Sequence, residues 1–445
     1  MRGFRTAGVG CVLGLALTFG LSTVTLRTFG QDAPKPRDKA KEEAEQRQKF
    51  IDQLNKNKYA LTLDAATGKT TGPGMNVLSD ATADAQFVLI GEDHGMTEIP
   101  QFMGTVFEML APRGFHTLAI ETGPYVTSAM QEYVSKPDGA ARMGEFVRKY
   151  PFAAAFYNWR EEFAFLQRCA RAGKDGNVNL WGLDQELMGS AGYLLQKISG
   201  QKLGPDATAM AERMLKENDA AYAAAAKTGD PSGLFMMTAK DADLKAFGDL
   251  LKTQGTPAAR KMLAALVESR AIYGKYFANE GYASNRERAQ LMKQNFRARY
   301  EAANDAEPLP KVMFKFGGYH MYQGLNSLHS SEIGNLVAEL AEWNGTKSVH
   351  VMVLGVKGET AAFGGIGKPS GKEKLDLRTD PRGDFTFLAP MLDNMLKDSW
   401  TMYDVRAFRA HFGSYGAVDK EMERMIFGYD FLVLIPETTA SHDLE

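Results

Sequence analysis

The sequence predicts an α/β fold with a mostly parallel central sheet flanked by helices and an all-helical insertion that forms a cap. Three observations support this. Short apolar runs alternate with amphipathic stretches of helical spacing up to about residue 186. Between residues 187 and 308, β-branched runs almost disappear and Ala-rich amphipathic segments dominate, and from residue 309 the strand pattern resumes. Alternation of strand and helix is typical of βαβ units, whose strands lie parallel.

The composition is that of an ordinary globular protein. Of 445 residues, 44% are hydrophobic and 24% are charged, and the formal net charge is −2. Because there is no basic excess, we expect a small-molecule substrate and no nucleic-acid partner; the oligomeric state stays open. Beyond the first segment there is one cysteine, Cys169, whose helical apolar setting indicates a buried structural residue.

The first 30 residues have the pattern of a signal peptide. Arg2 and Arg5 precede an uncharged apolar run at 7–26, and small residues near Gly30 favour cleavage there. We therefore predict a periplasmic or secreted protein without membrane insertion after signal cleavage. The apolar run is also near the length of a membrane span, so an uncleaved anchor stays open. Residues 31–57, rich in Lys, Glu, Gln and Pro, predict a polar linker and a short helix.

The first part of the α/β core is assigned to residues 58–186. Its first strand has four consecutive apolar residues, 87–90, before Gly91, as a buried strand does. A helix follows at 98–110, where apolar residues recur at helical spacing before Pro112 and Gly114. The same patterns predict two further strands and two further helices: strands at 116–121 and 177–184, and helices at 126–134 and 158–171.

The second part of the core is assigned to residues 309–445. Apolar β-branched runs predict strands at 311–316, 348–354, 400–405 and 431–435, and a helix is predicted at 331–340. Residues 358–384 are rich in Gly, Lys and Asp and lack periodicity, which predicts a long loop.

Acidic residues and histidines follow four of the predicted strands. Glu92 and His94 follow the first strand, Glu121 ends the second, Asp184 ends the third, and His320 follows the strand that resumes the sheet. The carboxyl ends of parallel strands share one edge, so these side chains should converge. A histidine there can take a proton from water, and a neighbouring carboxylate fixes its tautomer. The pattern therefore favours acid–base hydrolysis.

Other chemistries have less support from the sequence. There is no Gly-x-Ser-x-Gly elbow for a serine nucleophile and no His-Glu-x-x-His zinc motif. We expect no cofactor and assign no metal ligands, although Glu92, His94, Glu121 and His320 have donor types that a metal accepts. A bound metal or haem therefore stays open.

Several short segments resemble the erythromycin esterase and ChaN-like superfamily. They are Leu89-Ile-Gly-Glu-Asp-His-Gly95 with Glu98, Leu118-Ala-Ile-Glu121, Gly182-Leu-Asp184, Arg288 with Met292 and Asn295, and Lys315-Phe-Gly-Gly-Tyr-His320. In the esterase branch the resemblance implies a metal-independent hydrolase of ester or lactone bonds. It implies His94 as the base, Glu92 and Glu121 as residues that orient it or the water, and His320 and Arg288 at the substrate.

Asp184 and Tyr319 are expected to bind substrate together with Arg288. Only Asp93 separates Glu92 from His94, a spacing closer to the ChaN-like branch, which is associated with haem-iron uptake. The alternative is thus a haem- or ligand-binding protein without hydrolytic activity, with His320 and Met321 as candidate ligands. A scaffold that has lost its activity is a third possibility.

Overall fold

The computed structural model describes residues 39–154, 156–379 and 385–444. The predicted signal peptide, with its cleavage near Gly30, and residues 31–38 of the linker lie outside the described residues. The predicted short helix is α1, Lys39–Lys56. Within the described ranges, no helix combines the length and the apolar character needed to cross a membrane.

The described residues contain a large mixed sheet and a separate hairpin. Their strands are β1 Lys58–Asp64, β2 Lys69–Thr71, β3 Ala85–Glu92, β4 Phe115–Ile120, β5 Asn179–Gly182, β6 Lys311–Gly317, β7 Lys347–Gly355, β8 Lys357–Ala362, β9 Gly371–Asp376, β10 Trp400–Asp404 and β11 Phe431–Ile435. The large sheet has the order β2-β1-β10-β11-β7-β3-β6-β4-β5. The six strands from β11 to β5 are parallel, whereas β2, β1 and β10 form an antiparallel edge. The predicted α/β class with a mostly parallel sheet is confirmed.

Helices cover both faces of the sheet. The α-helices after α1 are α2 Pro73–Ala81, α3 Glu98–Leu110, α4 Pro124–Tyr133, α5 Gly139–Lys149, α6 Arg160–Ala172, α7 Ala191–Ser199, α8 Pro205–Thr228, α9 Phe235–Thr238, α10 Asp241–Gln254, α11 Pro257–Phe277, α12 Gly281–Ala306, α13 Ile333–Trp343, α14 Ala389–Leu392 and α15 Lys420–Gly428. Strand β3 is buried throughout. Val88 and Ile90 pack in the core that contains α3 and α6, and Phe87 and Leu89 pack in the core that contains α12 and α13. Burial on both faces explains its unbroken apolar run.

The segment between Met188 and Ala306 contains only helical elements among its regular structure. Helices α7, α8, α10 and α11 share a separate apolar core that includes Leu194, Phe247 and Leu266. Helix α12 connects this cap to the sheet, because its Met292 and Phe296 pack in the same core as the β3 side chains. The cap is thereby fixed over the strand ends.

The prediction of a long loop at 358–384 is wrong for residues 358–362 and 371–376. Strands β8 and β9 pair there as an antiparallel hairpin, and residues 380–384 lie outside the described residues. The hairpin was hidden because its buried residues are small or isolated, such as Thr360 and Leu375. It packs on the turn after β3: Ala361 N–H donates to Gly95 O (2.8 Å) and Thr360 Oγ1 donates to His94 O (2.9 Å). Gly95 has φ +91°, and a Cβ there would lie 2.6 Å from Ala361 O, so the turn requires glycine.

Candidate active site

Two carboxylates flank His94 at the carboxyl end of β3. Nδ1 of His94 lies 2.7 Å from Oε1 of Glu92, and Nε2 lies 3.4 Å from Oε2 of Glu121. Glu92 is the last residue of β3, and Glu121 directly follows β4. The three residues that the sequence placed at the ends of two parallel strands thus converge, although β6 lies between β3 and β4. Both glutamates are buried, whereas the His94 side chain is 22% exposed.

Glu121 connects His94 to the remaining predicted groups. Its Oε1 lies 3.4 Å from Nε2 of His320 and accepts a hydrogen bond from Nη2 of Arg288 at 2.7 Å. Its Oε2 accepts from the backbone N–H of Gly317 at 2.5 Å. The two oxygens of this carboxylate together contact the turn after β3, the end of β6, the turn after β6 and the cap helix α12.

The predicted substrate-binding residues divide into two groups. Asp184 and Arg288 belong to the cluster, because Arg288 Nε donates to Asp184 Oδ1 (2.9 Å) and Nη2 donates to Oδ2 (2.5 Å). Tyr319 lies on the turn after β6, and the residue is 47% exposed. Tyr319 is thus placed beside the cluster rather than within it, while its neighbour His320 is buried.

The structure adds three charged residues that sequence reasoning did not select. Lys315 of β6 contacts Glu92, and its Nζ lies 2.9 Å from Oε2 of Glu162 on α6. Glu332 holds Nδ1 of His320 at 3.1 Å. Signals for two of them exist in the sequence. Lys315 is a charge inside an apolar strand, and Glu162 falls on the i, i+4, i+7 stripe of α6.

Both histidines are held in the charged form. Burial lowers the pKa of His94, but its hydrogen bonds to Glu121 and Glu92 outweigh burial and raise that pKa to about 10. Burial and Arg288 lower the pKa of His320, yet Glu121 and Glu332 raise it to about 9. Burial raises the pKa of Glu121, but His320, His94 and Arg288 hold that pKa well below its usual range. At neutral pH the site therefore contains two imidazolium groups and an ionised Glu121.

A cavity of about 810 Å³ opens beside His94. Its wall comes from the 147–159 segment, from Tyr222 of α8, from the β8–β9 hairpin region and from the last described residues. Five aromatic side chains contribute to the lining: Phe152, Phe156, Trp159, Tyr222 and Phe363. The Phe156 ring stacks on the His94 imidazole, with centroids 3.7 Å apart and planes at 15°. The cavity can accommodate a substrate with a substantial apolar part.

The side chains of the site that could bind a metal are already paired with other charged groups. Glu92 contacts Lys315, and Glu121 contacts Arg288, so a cation stands beside each carboxylate. Within the described ranges, no group of three or more His, Cys, Asp and Glu side chains has an arrangement that could hold a metal ion. Met321, the other residue considered for haem, is fully buried in the apolar core, and neither Met321 nor His320 is among the residues that line the cavity. This geometry does not favour the two residues as a ligand pair.

Solved structures share this fold at low sequence identity. A mutant of the erythromycin esterase EreC in its open conformation aligns with a TM-score of 0.58 and 15% identity over 87% of this chain and 99% of that chain. A protein from Bacillus cereus aligns with a TM-score of 0.55 and 15% identity over 89% of this chain and 99% of that chain. A succinoglycan biosynthesis protein aligns with a TM-score of 0.53 and 15% identity over 89% of this chain and 98% of that chain. No family model and no curated protein matches the sequence. The erythromycin esterase-like fold implied by the sequence segments is confirmed.

Proposed function

We propose that this chain is an exported hydrolase that opens an ester or lactone bond with water activated at His94. The observation that carries the proposal is the position of His94, which lies between Glu92 and Glu121 and faces the aromatic cavity. A base beside a carboxylate partner and a cavity of substrate size is the arrangement that water activation needs. The fold shared with an erythromycin esterase adds support by analogy.

The chemistry assigns His94 the role of general base. Nδ1 lies 2.7 Å from Glu92, and a neutral ring whose proton is on Nδ1 accepts a proton from water at Nε2. The water oxygen forms a bond to the carbonyl carbon, and the carbonyl π electrons move to the oxygen. When the tetrahedral intermediate collapses, the C–O bond to the alcohol breaks and the leaving oxygen takes the proton from Nε2. The products are a carboxylic acid and an alcohol.

Two positively charged groups of the cluster, His320 and Arg288, can stabilise the negatively charged tetrahedral intermediate. His320 is an imidazolium below a pKa of about 9, and Arg288 is permanently charged. Both groups contact Glu121, whose other oxygen faces Nε2 of His94. Fixed positive groups stabilise an oxyanion more in the transition state than in the ground state, which accelerates the reaction.

Export is proposed from the sequence alone. Two arginines followed by an uncharged apolar run form the pattern of a secretory signal, which places the mature protein in a periplasm or outside the cell. Expression of the whole chain with fractionation, followed by mass spectrometry of its N-terminus, tests this. A mature chain that begins near Gln31 is expected, and an intact Met1 on a membrane-bound protein would contradict it.

A panel of chromogenic esters and lactones tests the reaction. We expect His94→Ala to lower kcat/KM by about 10²–10⁴, the usual contribution of a general base. His411→Ala is the matched control, because His411 is an exposed histidine of the 405–415 segment. Equal rates for wild type and His94→Ala on every hydrolysed substrate would remove His94 from catalysis.

A further inference from the structure

Lys315 lies in a part of the sheet where a charge is unexpected. It is a residue of β6, and only 2% of its side chain is exposed. In the register of β3 and β6, Lys315 is opposite Ile90 and Gly317 is opposite Glu92. Because alternate residues of a strand face the same side, Lys315 and Glu92 project from the same face as diagonal neighbours. The ammonium therefore reaches the carboxylate from beneath the site.

Two donors converge on a single oxygen of Glu92. Both Lys315 Nζ and His94 Nδ1 contact Oε1, and the His94 contact measures 2.7 Å. An ammonium only donates, so Oε1 must accept from Lys315. With the ammonium and the imidazole both against it, Oε1 has no room for a proton of its own. Nδ1 of His94 is then the donor to Glu92. Nε2 also faces a carboxylate, but Oε2 of Glu121 is 3.4 Å away, against 2.7 Å for Glu92, and already accepts from the Gly317 N–H. A neutral His94 therefore keeps its proton on Nδ1 and its lone pair on Nε2.

A second carboxylate secures the buried ammonium. Oε2 of Glu162 lies 2.9 Å from Lys315 Nζ, and the Glu162 side chain is 1% exposed. The ring of Tyr157 lies on another side, with its centroid 5.7 Å from Nζ. A lone buried ammonium would lose its proton, whereas one between two carboxylates keeps it. Consistent with this, burial lowers the pKa of Lys315, but Glu162 and Glu92 more than reverse the effect and raise it.

We propose that Lys315 is a positioning residue of the His94 site, which acts through Glu92 to fix the tautomer of the imidazole. The ammonium keeps Glu92 as a carboxylate, the carboxylate keeps the proton on Nδ1, and Nε2 is left as the basic atom. The proposal rests on the proposed function for its kinetic consequence only. The tautomer itself is a property of the protein without substrate.

Loss of the Lys315 ammonium should move the proton of the neutral imidazole from Nδ1 to Nε2. Without Lys315, the buried carboxyl of Glu92 has lost its fixed cation and takes up a proton more readily. A protonated Glu92 donates to Nδ1, so the neutral imidazole carries its proton on Nε2 and cannot accept another there. An imidazole in the wrong tautomer is a poor base even when its position is unchanged; a comparable change in a serine protease triad costs about 10⁴ in kcat.

Nitrogen-15 NMR of histidine-labelled protein measures the tautomer directly. The His94→Gln spectrum identifies the His94 signals, and a titration to about pH 10.5 reaches the neutral ring of the wild type, whose pKa is about 10. We expect the Nδ1–H tautomer in the wild type and the Nε2–H tautomer in Lys315→Met. Lys315→Arg, which keeps the charge, should retain the wild-type tautomer. A neutral Nδ1–H ring in Lys315→Met would overturn the proposal.

The control variant is Arg168→Met. Arg168 is a cation of α6, 16% exposed and paired with Glu108 at 2.6 Å, so its loss should reduce stability like the loss of Lys315. Its contacts are remote from Glu92, and the His94 tautomer should not change. If Lys315→Met does not fold, Lys315→Gln replaces it with the same expectation. A tautomer change in Arg168→Met as well would reveal a general structural effect and overturn the specific role of Lys315.

A double-mutant cycle tests the route through Glu92. We expect Lys315→Met and Glu92→Gln each to lower kcat/KM by about 10²–10⁴, and the double variant to be no more than about threefold below the worse single variant. Losses that multiply would mean that Lys315 acts independently of Glu92, which contradicts the proposal. If no substrate is found, the kinetic cycle fails with the proposed function, whereas the NMR result still decides the tautomer.

Discussion

Replacement of Glu121 by Gln should move the acidic limb of the pH–rate profile to lower pH. The base form of His94 is neutral, and its pKa of about 10 places the limb of kcat/KM far above the usual range of histidine. At pH 7, three units below that value, about one molecule in a thousand has a neutral His94. The wild-type kcat/KM should therefore rise about tenfold per pH unit from pH 7 towards pH 10.

The size of the shift follows from the separation of the charges. Nε2 of His94 and Oε2 of Glu121 are 3.4 Å apart. Unit charges at that distance interact by about 1.2 kcal/mol in the dielectric of water and by about 5 kcal/mol at a dielectric of about 20. These energies correspond to about 1 and about 3.5 pKa units. Since His94 is 22% exposed, we expect a downward shift of at least about one unit.

The assay is the kcat/KM profile of both proteins from about pH 5 to pH 10.5 with one chromogenic substrate. The sign does not depend on the opposing effect of burial, because the substitution removes a negative charge and leaves His94 in place. An acidic limb that stays where it is, or moves upward, would refute the coupling of Glu121 to the base. An NMR titration of His94 in the same variant separates a change in pKa from a change in the rate-limiting step.

Three further predictions concern the surroundings of the base. Phe156→Leu removes the ring stacked on His94 at 3.7 Å but keeps an apolar side chain over the imidazole, so the imidazolium should lose about 0.5–2 kcal/mol and its pKa should fall by about 0.5–1.5 units; an unchanged NMR titration would contradict this. Gly317→Ala places a Cβ 3.0 Å from Nε2 of His94 and should lower kcat/KM at least tenfold, while Gly274→Ala, in open space, should not. The pKa of His320 is raised from 6.5 to about 9, so the stability that it contributes is complete below pH 6.5 and is lost as pH rises through about 9. The thermal midpoint should therefore decline over that interval, and His320→Gln should flatten the decline.

The sequence predicted those parts of the fold whose patterns are local. The helix expected at 98–110 is α3, Glu98–Leu110, and the strand expected at 87–90 lies within β3, because apolar spacing and breaker residues mark both. Strands β1 and β2 were missed because neither contains a buried apolar run: β1 has one fully buried residue, Leu61, and β2 is a three-residue edge strand, Lys-Thr-Thr. The convergence of Glu92, His94 and Glu121 was predictable because it depends only on parallel strand ends.

The supporting residues were not predictable to the same degree, since they depend on tertiary packing. Glu162 follows Arg160 and Glu161 in the first turn of α6, where acidic residues usually face solvent and favour the helix dipole. Its burial depends on the register that places α6 over β6 and opposite Lys315. Phe156 lies in an irregular segment with φ +62°, a backbone conformation that no apolar periodicity indicates.

The balance of buried charge explains why the histidine pKa values are high. The cluster contains five carboxyl groups, two fixed cations and two histidines: Glu92, Glu121, Glu162, Asp184 and Glu332; Lys315 and Arg288; His94 and His320. Two cations cannot neutralise five carboxylates, so the site attracts protons. Three protons would balance the remaining negative charge, and two of them bind to the histidines. Burial raises the pKa of Glu162 to about 7, so near neutral pH Glu162 carries the third proton in part of the molecules. Release of the His94 proton leaves excess negative charge, which must be offset before the ring can act as a base. In the proposed reaction a newly accepted proton from water restores the imidazolium as the oxyanion forms, so the charge balance favours the intermediate over the state that precedes it.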